Sequence, residues 1–353
     1  MSTALIPLPP QPQDVAWPTS DWPTGELEAT VDKVRLQTLV DAAFNTASTS
    51  PLGETHALLL VQRGRIVQEH YRPDFDKQTT FPSWSKAKSI THALVGILAR
   101  EGKIDIHARA DVPEWTDPND PRHNITLDHL LRMSSGLAFR EDYTAEAPSD
   151  VIEMLWGDGK KDVAHFAASF PLEHAPGTHW AYASGTTNIV ARCAARALGK
   201  SGSAFHEFMV EELFAPLGMK SPIPKFDEAG TFIGSSFCYA TARDFARFGM
   251  LYLRDGVWEG KRILPEGWVD YARTPTQQTA KMLTDDGPYG AHWWLERGGP
   301  GSFSANGFEG QYTIVVPDLD LILVRHGKTP LDLGQNVKDW MADVVACFRR
   351  QPN

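Results

Sequence analysis

The sequence predicts a mixed α/β fold, in which an antiparallel sheet is flanked by terminal helices and accompanied by a mostly helical lobe. Three observations support this prediction. Two strand-like segments, 56–61 and 65–70, come early and are joined at Arg63-Gly64, a dipeptide typical of hairpin turns. Three more, 290–295, 312–316 and 321–325, come late. Helical spacing fills the middle, so we expect the early and late strands to share one sheet.

The elements follow in a simple order. A first helix is predicted over 27–43, and a last amphipathic helix over 333–348. Between the two sets of strands, helical spacing occurs at 86–100, 127–133, 150–156, 187–198 and 203–214, with Gly/Pro loops such as 175–177 between them. The sequence therefore divides into a Pro-rich extended arm at 1–26, an α/β sheet domain from 27–84 and 285–353, and a mostly helical lobe at 85–284.

Composition limits the classes of partner and cofactor. A formal net charge of -10 over 353 residues disfavours binding to nucleic acid. Three cysteines, an odd number without C-x-x-C spacing, argue against a disulfide framework and a zinc site. The twelve histidines form no H-E-x-x-H motif. We expect no metal or other cofactor, and a small molecule as the partner; the oligomeric state does not follow from the sequence.

The amino-terminal segment bears on localisation. It has neither a basic region nor a long apolar region, and four of its first twelve residues are prolines, which break helices. We therefore expect a cytoplasmic protein with no membrane partner.

The run SWSKAKSIT at 83–91 carries the strongest chemical signal, because it contains two overlapping S-x-x-K patterns. Residues i and i+3 share a helix face, so a lysine there can act on the proton of a serine nucleophile. Ser85 with Lys88 and Ser83 with Lys86 both fit. A chain of this length contains roughly one S-x-x-K by chance. The helix that follows is apolar over so wide an arc that periodicity chooses neither lysine.

Two later segments offer the other parts of an acyl-transfer site, which needs a second proton carrier and an oxyanion hole. The run PGTHWAYASG at 176–185 is a turn that places Tyr182 at the start of a helix, with Ser184 as a capping residue. The run ANGFEGQ at 305–311 leads into a strand, and its small residues let backbone N–H groups approach a ligand. Each segment alone also fits an ordinary structural role.

Taken together, these motifs resemble those of the serine β-lactamase and penicillin-recognising superfamily. The similarity is to the branch shared by class C β-lactamases, family VIII carboxylesterases and 6-aminohexanoate-dimer hydrolase. In that branch the nucleophile motif is followed by Ser or Thr, a bulky apolar residue and Thr, which SKAKSIT at 85–91 matches and the Ser83 register does not. The runs ITLDHLLRMSSGL at 125–137 and ATARDFARFG at 240–249 resemble two further family segments, and the resemblance covers about 27–348.

The resemblance implies a β-lactamase-like fold and assigns roles to individual residues. Ser85 attacks a carbonyl, Lys88 holds or accepts its proton, and Tyr182 passes a proton to the leaving group and then activates water. Which of Lys88 and Tyr182 is the base stays open, since a neighbouring ammonium favours tyrosinate while burial favours neutral lysine. The oxyanion hole consists of the backbone N–H groups of Ser85 and Phe308.

Further residues are expected to bind substrate or support the site. By the resemblance, Ser184 orients Lys88, and Gly307 lies beside the oxyanion hole. Trp84 adjoins the nucleophile and is expected in an apolar cleft, and Tyr239 is expected at its rim. The cleft has four more aromatic candidates, which are Trp156, Trp180, Trp293 and Trp294.

The third motif departs from the family pattern. Many relatives have K-T-G or H-x-G there, and the cation seats a substrate carboxylate; this chain has Ala305. A KTP run at 328–330 lacks the glycine and follows the next strand. We therefore expect a serine hydrolase of small, uncharged esters or amides. The alternatives are a β-lactam or D-alanyl peptide hydrolase, and a relative without turnover that acts as a binding or scaffold protein. No G-x-S-x-G elbow of an α/β-hydrolase occurs.

Overall fold

The computed structural model describes residues 5–45, 50–143, 149–277 and 287–349. Within these ranges the helices are α1 Lys33–Ala43, α2 Ala87–Arg100, α3 Leu127–Leu131, α4 Asp150–Trp156, α5 Val163–Ala168, α6 Ser184–Leu198, α7 Gly202–Met209, α8 Ala242–Leu253, α9 Trp268–Arg273 and α10 Gly334–Ala346. The strands are β1 Glu54–Gln62, β2 Arg65–Tyr71, β3 Thr80–Phe81, β4 Ile223–Pro224, β5 Cys238–Thr241, β6 Val257–Trp258, β7 Lys261–Arg262, β8 Trp294–Leu295, β9 Phe303–Gly307, β10 Gln311–Val316 and β11 Leu321–Lys328.

The main sheet is antiparallel and joins early and late strands, as the sequence predicts. Its order is β2-β1-β11-β10-β9-β8. The β1–β2 hairpin turns at Arg63 (φ 49°) and Gly64 (φ 75°), both in the left-handed region that a tight hairpin requires. Leu59 of β1 lies opposite Val324 of β11, so the chain's early and late segments meet at the centre of the sheet.

Both faces of the sheet are covered, which explains the continuous apolar run at 57–61 of β1. Leu58 and Leu60 point to one face, where they pack with apolar side chains of the terminal helices α1 and α10. Leu59 and Val61 point to the other face, into the larger core shared with α2 and α8. The alternating strand geometry therefore divides one apolar run between two layers.

Helix α8 lies directly on the sheet, although it falls within the segment that the sequence assigns to the helical lobe. A side chain on Gly249 would lie 3.0 Å from Thr313 Cγ2 and 3.2 Å from Ile322 Cγ2, so the glycine allows α8 to approach β10 and β11 closely. The predicted lobe boundary at 284/285 lies outside the described residues.

Strand β9 is a feature that the sequence interpretation treated as a loop leading into a strand. Apart from Phe303, its residues are small, and they lack a pattern typical of strands. Pairing with β10 nevertheless orders them, with Ala305 opposite Thr313 and Gly307 opposite Gln311. Tertiary pairing thus overrides weak local propensity here.

The Pro-rich arm is extended, and buried arginines of later helices and loops fix its described part. Arg273 Nη1 donates to the carbonyl of Ile6 at 2.6 Å. Arg254 Nη1 donates to the carbonyl of Pro9 at 3.1 Å, and Arg247 Nε donates to the carbonyl of Pro18 at 2.7 Å. All three arginines are buried. The arm is therefore part of the folded structure, because its backbone supplies acceptors that these guanidinium groups need.

Candidate active site

Ser85 lies in a 3₁₀ turn, Trp84–Lys86, that leads into α2. The preceding residue, Trp84, has a φ of 43°, in the left-handed region that side chains other than glycine seldom adopt. Its ring packs against those of Trp156, Phe237 and Phe308, with centroids 5.7–6.3 Å apart. Aromatic packing thus holds a strained backbone beside Ser85.

Ser85 opens onto a cavity of about 530 Å³. Its wall combines aromatic side chains with apolar, polar and charged ones. The lining residues are Ser85, Glu141, Tyr143, Trp180, Tyr182, Trp294, Asn306, Gly307, Phe308, Glu309, Gly310, Tyr312, Thr329, Pro330, Leu331, Gly334, Val337 and Lys338. A wall rich in aromatic and apolar residues with a few polar groups is typical of a small-molecule site.

Lys88 is buried beside Ser85 and is surrounded by oxygen atoms. Its Nζ lies 2.9 Å from Ser85 Oγ, 2.9 Å from Ser184 Oγ and 3.0 Å from the carbonyl oxygen of Ser235. The predicted pair Ser85–Lys88 therefore meets within hydrogen-bonding distance, and Ser184 joins it. Burial lowers the pKa of Lys88 to about 8, against the opposing influence of Glu141. A large fraction of the amine is neutral near that pH.

The overlapping pair Ser83 and Lys86 has a different environment. Ser83 is buried, and its hydroxyl donates to the carbonyl of Ser236 at 3.1 Å and accepts from the N–H of Cys238 at 2.9 Å. Lys86 Nζ points into the core, 3.4 Å from the centroid of the Phe245 ring and 3.4 Å from His326 Nε2. The structure thus separates two lysines that helical periodicity could not distinguish.

Glu141 is a site residue that the sequence reasoning missed. Its carboxylate accepts from the backbone N–H of Ser184, from Ser184 Oγ at 3.1 Å and from the hydroxyl of Tyr143 at 2.7 Å. It lies in a loop outside any helix or strand, and it belongs to no motif. No local signal in the sequence distinguishes it from other surface glutamates.

Tyr182 lines the same cavity next to Lys88, whose Nζ lies 4.8 Å from the centre of its ring. The ring also packs against Trp294, at 5.4 Å between centroids, and against Tyr289 at 5.9 Å. The segment that the sequence placed at the start of a helix does lead into α6. The prediction of Ser184 as its capping residue is wrong, because Ala183 occupies the cap position and Ser184 is the first helical residue.

Gly307 and Phe308 lie next to the turn that carries Ser85. A side chain on Gly307 would lie 2.4 Å from the carbonyl oxygen of Ser83 and 3.1 Å from Trp84 Cβ. A glycine is therefore needed for β9 to contact the turn that carries Ser85. Phe308 follows in a tight turn, Phe308–Gly310, where Glu309 has a φ of 59°.

Several other predicted site residues lie apart from this cavity wall. Tyr239 lies on β5, with its ring 5.9 Å from Lys225 Nζ, and is not among the described lining residues. Trp84 is half-buried beside Ser85, packs against Phe308, and is not among the lining residues of the cavity. Trp293 is fully buried against Tyr252, whereas Trp180 and Trp294 do line the cavity.

Among the described residues, no group of three or more His, Cys, Asp or Glu side chains is placed to hold a metal ion. All three cysteines are buried and free. In the same part of the chain, no helix has the length and apolar character needed to cross a membrane.

Comparison with known proteins agrees with the geometry. A family model described as beta-lactamase matches residues 53–347. The 6-aminohexanoate-dimer hydrolase of Paenarthrobacter ureafaciens is 26% identical over 294 residues, covering 78% of this chain and 73% of that protein.

Solved structures show the same fold. A protein from Bacillus anthracis, provisionally described as a 6-aminohexanoate-dimer hydrolase, superposes with a TM-score of 0.74 at 23% identity, covering 96% of this chain and 89% of the other. A family VIII carboxylesterase superposes with a TM-score of 0.68 at 15% identity, covering 92% and 99%. At these identities the likeness concerns the fold alone.

Proposed function

We propose that this chain, which belongs to the β-lactamase family, is a serine hydrolase that cleaves small ester or amide substrates through an acyl-enzyme on Ser85. One observation carries the proposal: Lys88 Nζ lies 2.9 Å from Ser85 Oγ at the wall of a cavity of about 530 Å³. A relative described as a 6-aminohexanoate-dimer hydrolase and a structural neighbour described as a family VIII carboxylesterase support the same reaction class.

The hydrogen-bond partners of Lys88 favour it as the base for acylation. A neutral amine has two hydrogens and one lone pair. The carbonyl of Ser235 can only accept, so it takes one hydrogen. The hydroxyl hydrogen of Ser184 is directed to Glu141, so Ser184 Oγ accepts the second. The lone pair is then left facing Ser85 Oγ, where it can accept the proton of the nucleophile.

The reaction then follows from these positions. As Ser85 Oγ bonds to the substrate carbonyl carbon, its proton moves to Lys88 Nζ, and the carbonyl oxygen becomes an oxyanion held by the backbone N–H groups of Ser85 and Phe308. Collapse of this adduct breaks the bond to the leaving alcohol or amine, which receives a proton through Tyr182. Water, deprotonated by the same pair, hydrolyses the ester on Ser85 and restores the enzyme.

The substrate class is inferred from the wall of the cavity. Ala305 is buried on β9 and cannot provide the cation that seats a carboxylate in many relatives. Trp180, Trp294 and Tyr143 provide an aromatic surface instead. The lysine in the cavity wall, Lys338, lies on α10 and not at the third motif. A charge-assisted hydrogen bond is worth roughly 1.5–3 kcal/mol, or about ten- to a hundredfold in kcat/KM. We therefore propose uncharged, short-chain esters or amides as substrates.

The decisive experiment is labelling with a fluorophosphonate followed by peptide mapping. We expect one adduct, on Ser85, which is absent in Ser85→Ala. Ser83→Ala is the matched control, measured on the folded fraction because it removes two buried hydrogen bonds, and it should keep the adduct. An adduct on Ser83, or none on the parent, would exclude the proposed nucleophile.

A substrate panel tests the specificity. p-Nitrophenyl acetate and butyrate should be hydrolysed with higher kcat/KM than a chromogenic cephalosporin. Equal or faster turnover of the cephalosporin would favour the β-lactam hydrolase instead. Labelling of Ser85 without turnover of any ester, amide or β-lactam would favour a binding or scaffold protein.

A further inference from the structure

Lys86 is buried and has no role in the proposed reaction. Hydrogen-bonded side chains connect it to the turn that carries Phe308. Its Nζ lies 3.4 Å from His326 Nε2. His326 Nδ1 lies 3.0 Å from Gln311 Oε1. Gln311 is the first residue of β10 and directly follows the turn Phe308–Gly310. These three residues, the Lys86–His326–Gln311 chain, are all almost completely buried.

The hydrogen-bond directions in the Lys86–His326–Gln311 chain follow from the donors available. Gln311 Nε2 lies near three carbonyl oxygens, those of Phe308 at 3.2 Å, Glu309 at 3.3 Å and Gly327 at 2.6 Å. The amide nitrogen therefore faces the turn, and Oε1 faces His326. An amide oxygen can only accept, so His326 Nδ1 carries the hydrogen and Nε2 is a bare acceptor for Lys86.

The turn itself needs support. Glu309 has a φ of 59°, which costs a side chain other than glycine on the order of 1 kcal/mol or more. Its carbonyl also accepts from the backbone N–H of Thr329 at 3.0 Å. Arg325, fully buried, donates to the carbonyl of Gly310 at 2.8 Å. Neighbouring side chains and backbone thus hold all three carbonyls of the turn. Gln311 Nε2 has two hydrogens; one is donated to Gly327 at 2.6 Å, and the carbonyls of Phe308 and Glu309 share the other.

The Lys86 end of the Lys86–His326–Gln311 chain lies beside the nucleophile. Lys86 is the last residue of the turn Trp84–Lys86, next to Ser85. The two turns also contact directly, because Gly307 lies against the carbonyl of Ser83. The Lys86–His326–Gln311 chain therefore connects two backbone segments. Their N–H groups, those of Ser85 and Phe308, form the oxyanion hole of the proposed function.

We propose that Lys86, His326 and Gln311 are positioning residues that fix the distance between the two N–H donors of the oxyanion hole. The inference rests on the proposed function. None of the three side chains contacts the substrate, and they act through the backbone of the two turns. Oxyanion stabilisation depends on donors placed within tenths of an ångström of the developing charge, so a small change in this distance lowers the rate.

The test compares an ester with its thionoester analogue, in which sulfur replaces the carbonyl oxygen. Sulfur is larger and a weaker acceptor, so the ratio of the two rates reports on the oxyanion hole and not on overall folding. In Gln311→Met we expect kcat for p-nitrophenyl acetate to fall about ten- to a hundredfold, since losing one whole donor costs about a hundred- to a thousandfold. The thionoester rate should fall less, so the ratio decreases, with KM nearly unchanged.

Lys86→Met is the second variant, because it replaces a buried amine by an apolar side chain of similar length and is expected to fold. It should lower the ratio in the same direction, by about three- to tenfold. Thr313→Val, also buried on β10 two residues beyond Gln311, is the matched control and should keep the parent ratio.

The outcomes are distinct. A parent protein without Ser85 labelling overturns the proposed function, and this inference with it. An active parent whose ester-to-thionoester ratio is the same in Lys86→Met and in the folded fraction of Gln311→Met overturns the inference alone. A lowered ratio in Thr313→Val as well would also overturn it, because the effect would then belong to any change in this part of the core.

Discussion

The regions around Lys86 and Lys88 differ in chemistry although the two residues lie two positions apart and are buried to nearly the same extent. The two residues are 1% and 2% exposed. Three oxygen atoms surround Lys88 Nζ, whereas Lys86 Nζ meets one imidazole nitrogen and the face of Phe245. Burial alone therefore does not make a lysine a base. Its partners must leave the lone pair directed at the group to be deprotonated.

The same substitution at both positions tests this difference most directly. Lys88→Met should lower kcat for a p-nitrophenyl ester by about a thousandfold, because it removes the base of the acylation step. Lys86→Met should lower it by about tenfold or less, because Lys86 acts only on backbone position. Steady-state kinetics on both variants, with folding checked by circular dichroism, measures the gap. Equal losses would contradict the distinction between the two regions.

The coupling of Lys88 to Tyr182 gives a comparably large effect. Tyr182→Phe alone should also lower kcat by about a thousandfold, because the ring next to Lys88 loses its proton-carrying hydroxyl. If the two residues act as one proton-transfer unit, the double variant Lys88→Met/Tyr182→Phe is little worse than the poorer single variant. If the decreases in kcat of the two single variants multiply in the double variant, the two residues act independently. That result would contradict a single proton-transfer unit.

The predictability of the two regions also differs. The sequence predicted Ser85 and Lys88 because the family motif downstream selects their register, while helical spacing alone left Lys86 equally possible. The sheet order was predictable in outline, since early and late apolar segments indicate shared strands. Glu141 and β9 were not predictable. Glu141 reaches the site only through a loop, and the small residues of β9 form a strand only because β10 pairs with them.

The electrostatic influence of Glu141 on the Lys88 region gives a moderate effect. With Lys88 as the base, kcat/KM should rise with pH through about 8, the pKa of the buried amine, because only the neutral form accepts a proton. Glu141 raises the pKa of Lys88, so Glu141→Gln should move this rise to lower pH. Tyr143→Phe removes a hydrogen bond to Glu141 but keeps the carboxylate, so kcat/KM of this variant should rise over the same pH range as in the parent. A profile unchanged in Glu141→Gln would contradict the assignment.

The smallest expected effect concerns stability around Lys86. Burial lowers the pKa of Lys86 well below 10.5 in the folded protein. The unfolded chain therefore binds a proton between that lowered pKa and 10.5 while the folded chain does not, and the free energy of unfolding rises with pH across this window. Lys86→Met removes this contribution, so its free energy of unfolding should change less between pH 7 and pH 9. Urea denaturation at both pH values measures the slope. A slope as steep as that of the parent would show that Lys86 does not titrate in this way.

The arm that crosses the molecule imposes an order on biosynthesis. The carbonyls of Ile6, Pro9 and Pro18 are made first, but the arginines that bind them lie 267, 245 and 229 residues later in the chain. At roughly 5–20 residues per second, a ribosome needs on the order of 10–50 s to supply those partners. During that interval the arm has no docking site and stays open to proteases and chaperones. Its docking is therefore expected among the last steps of folding, as contacts of such long sequence separation form slowly.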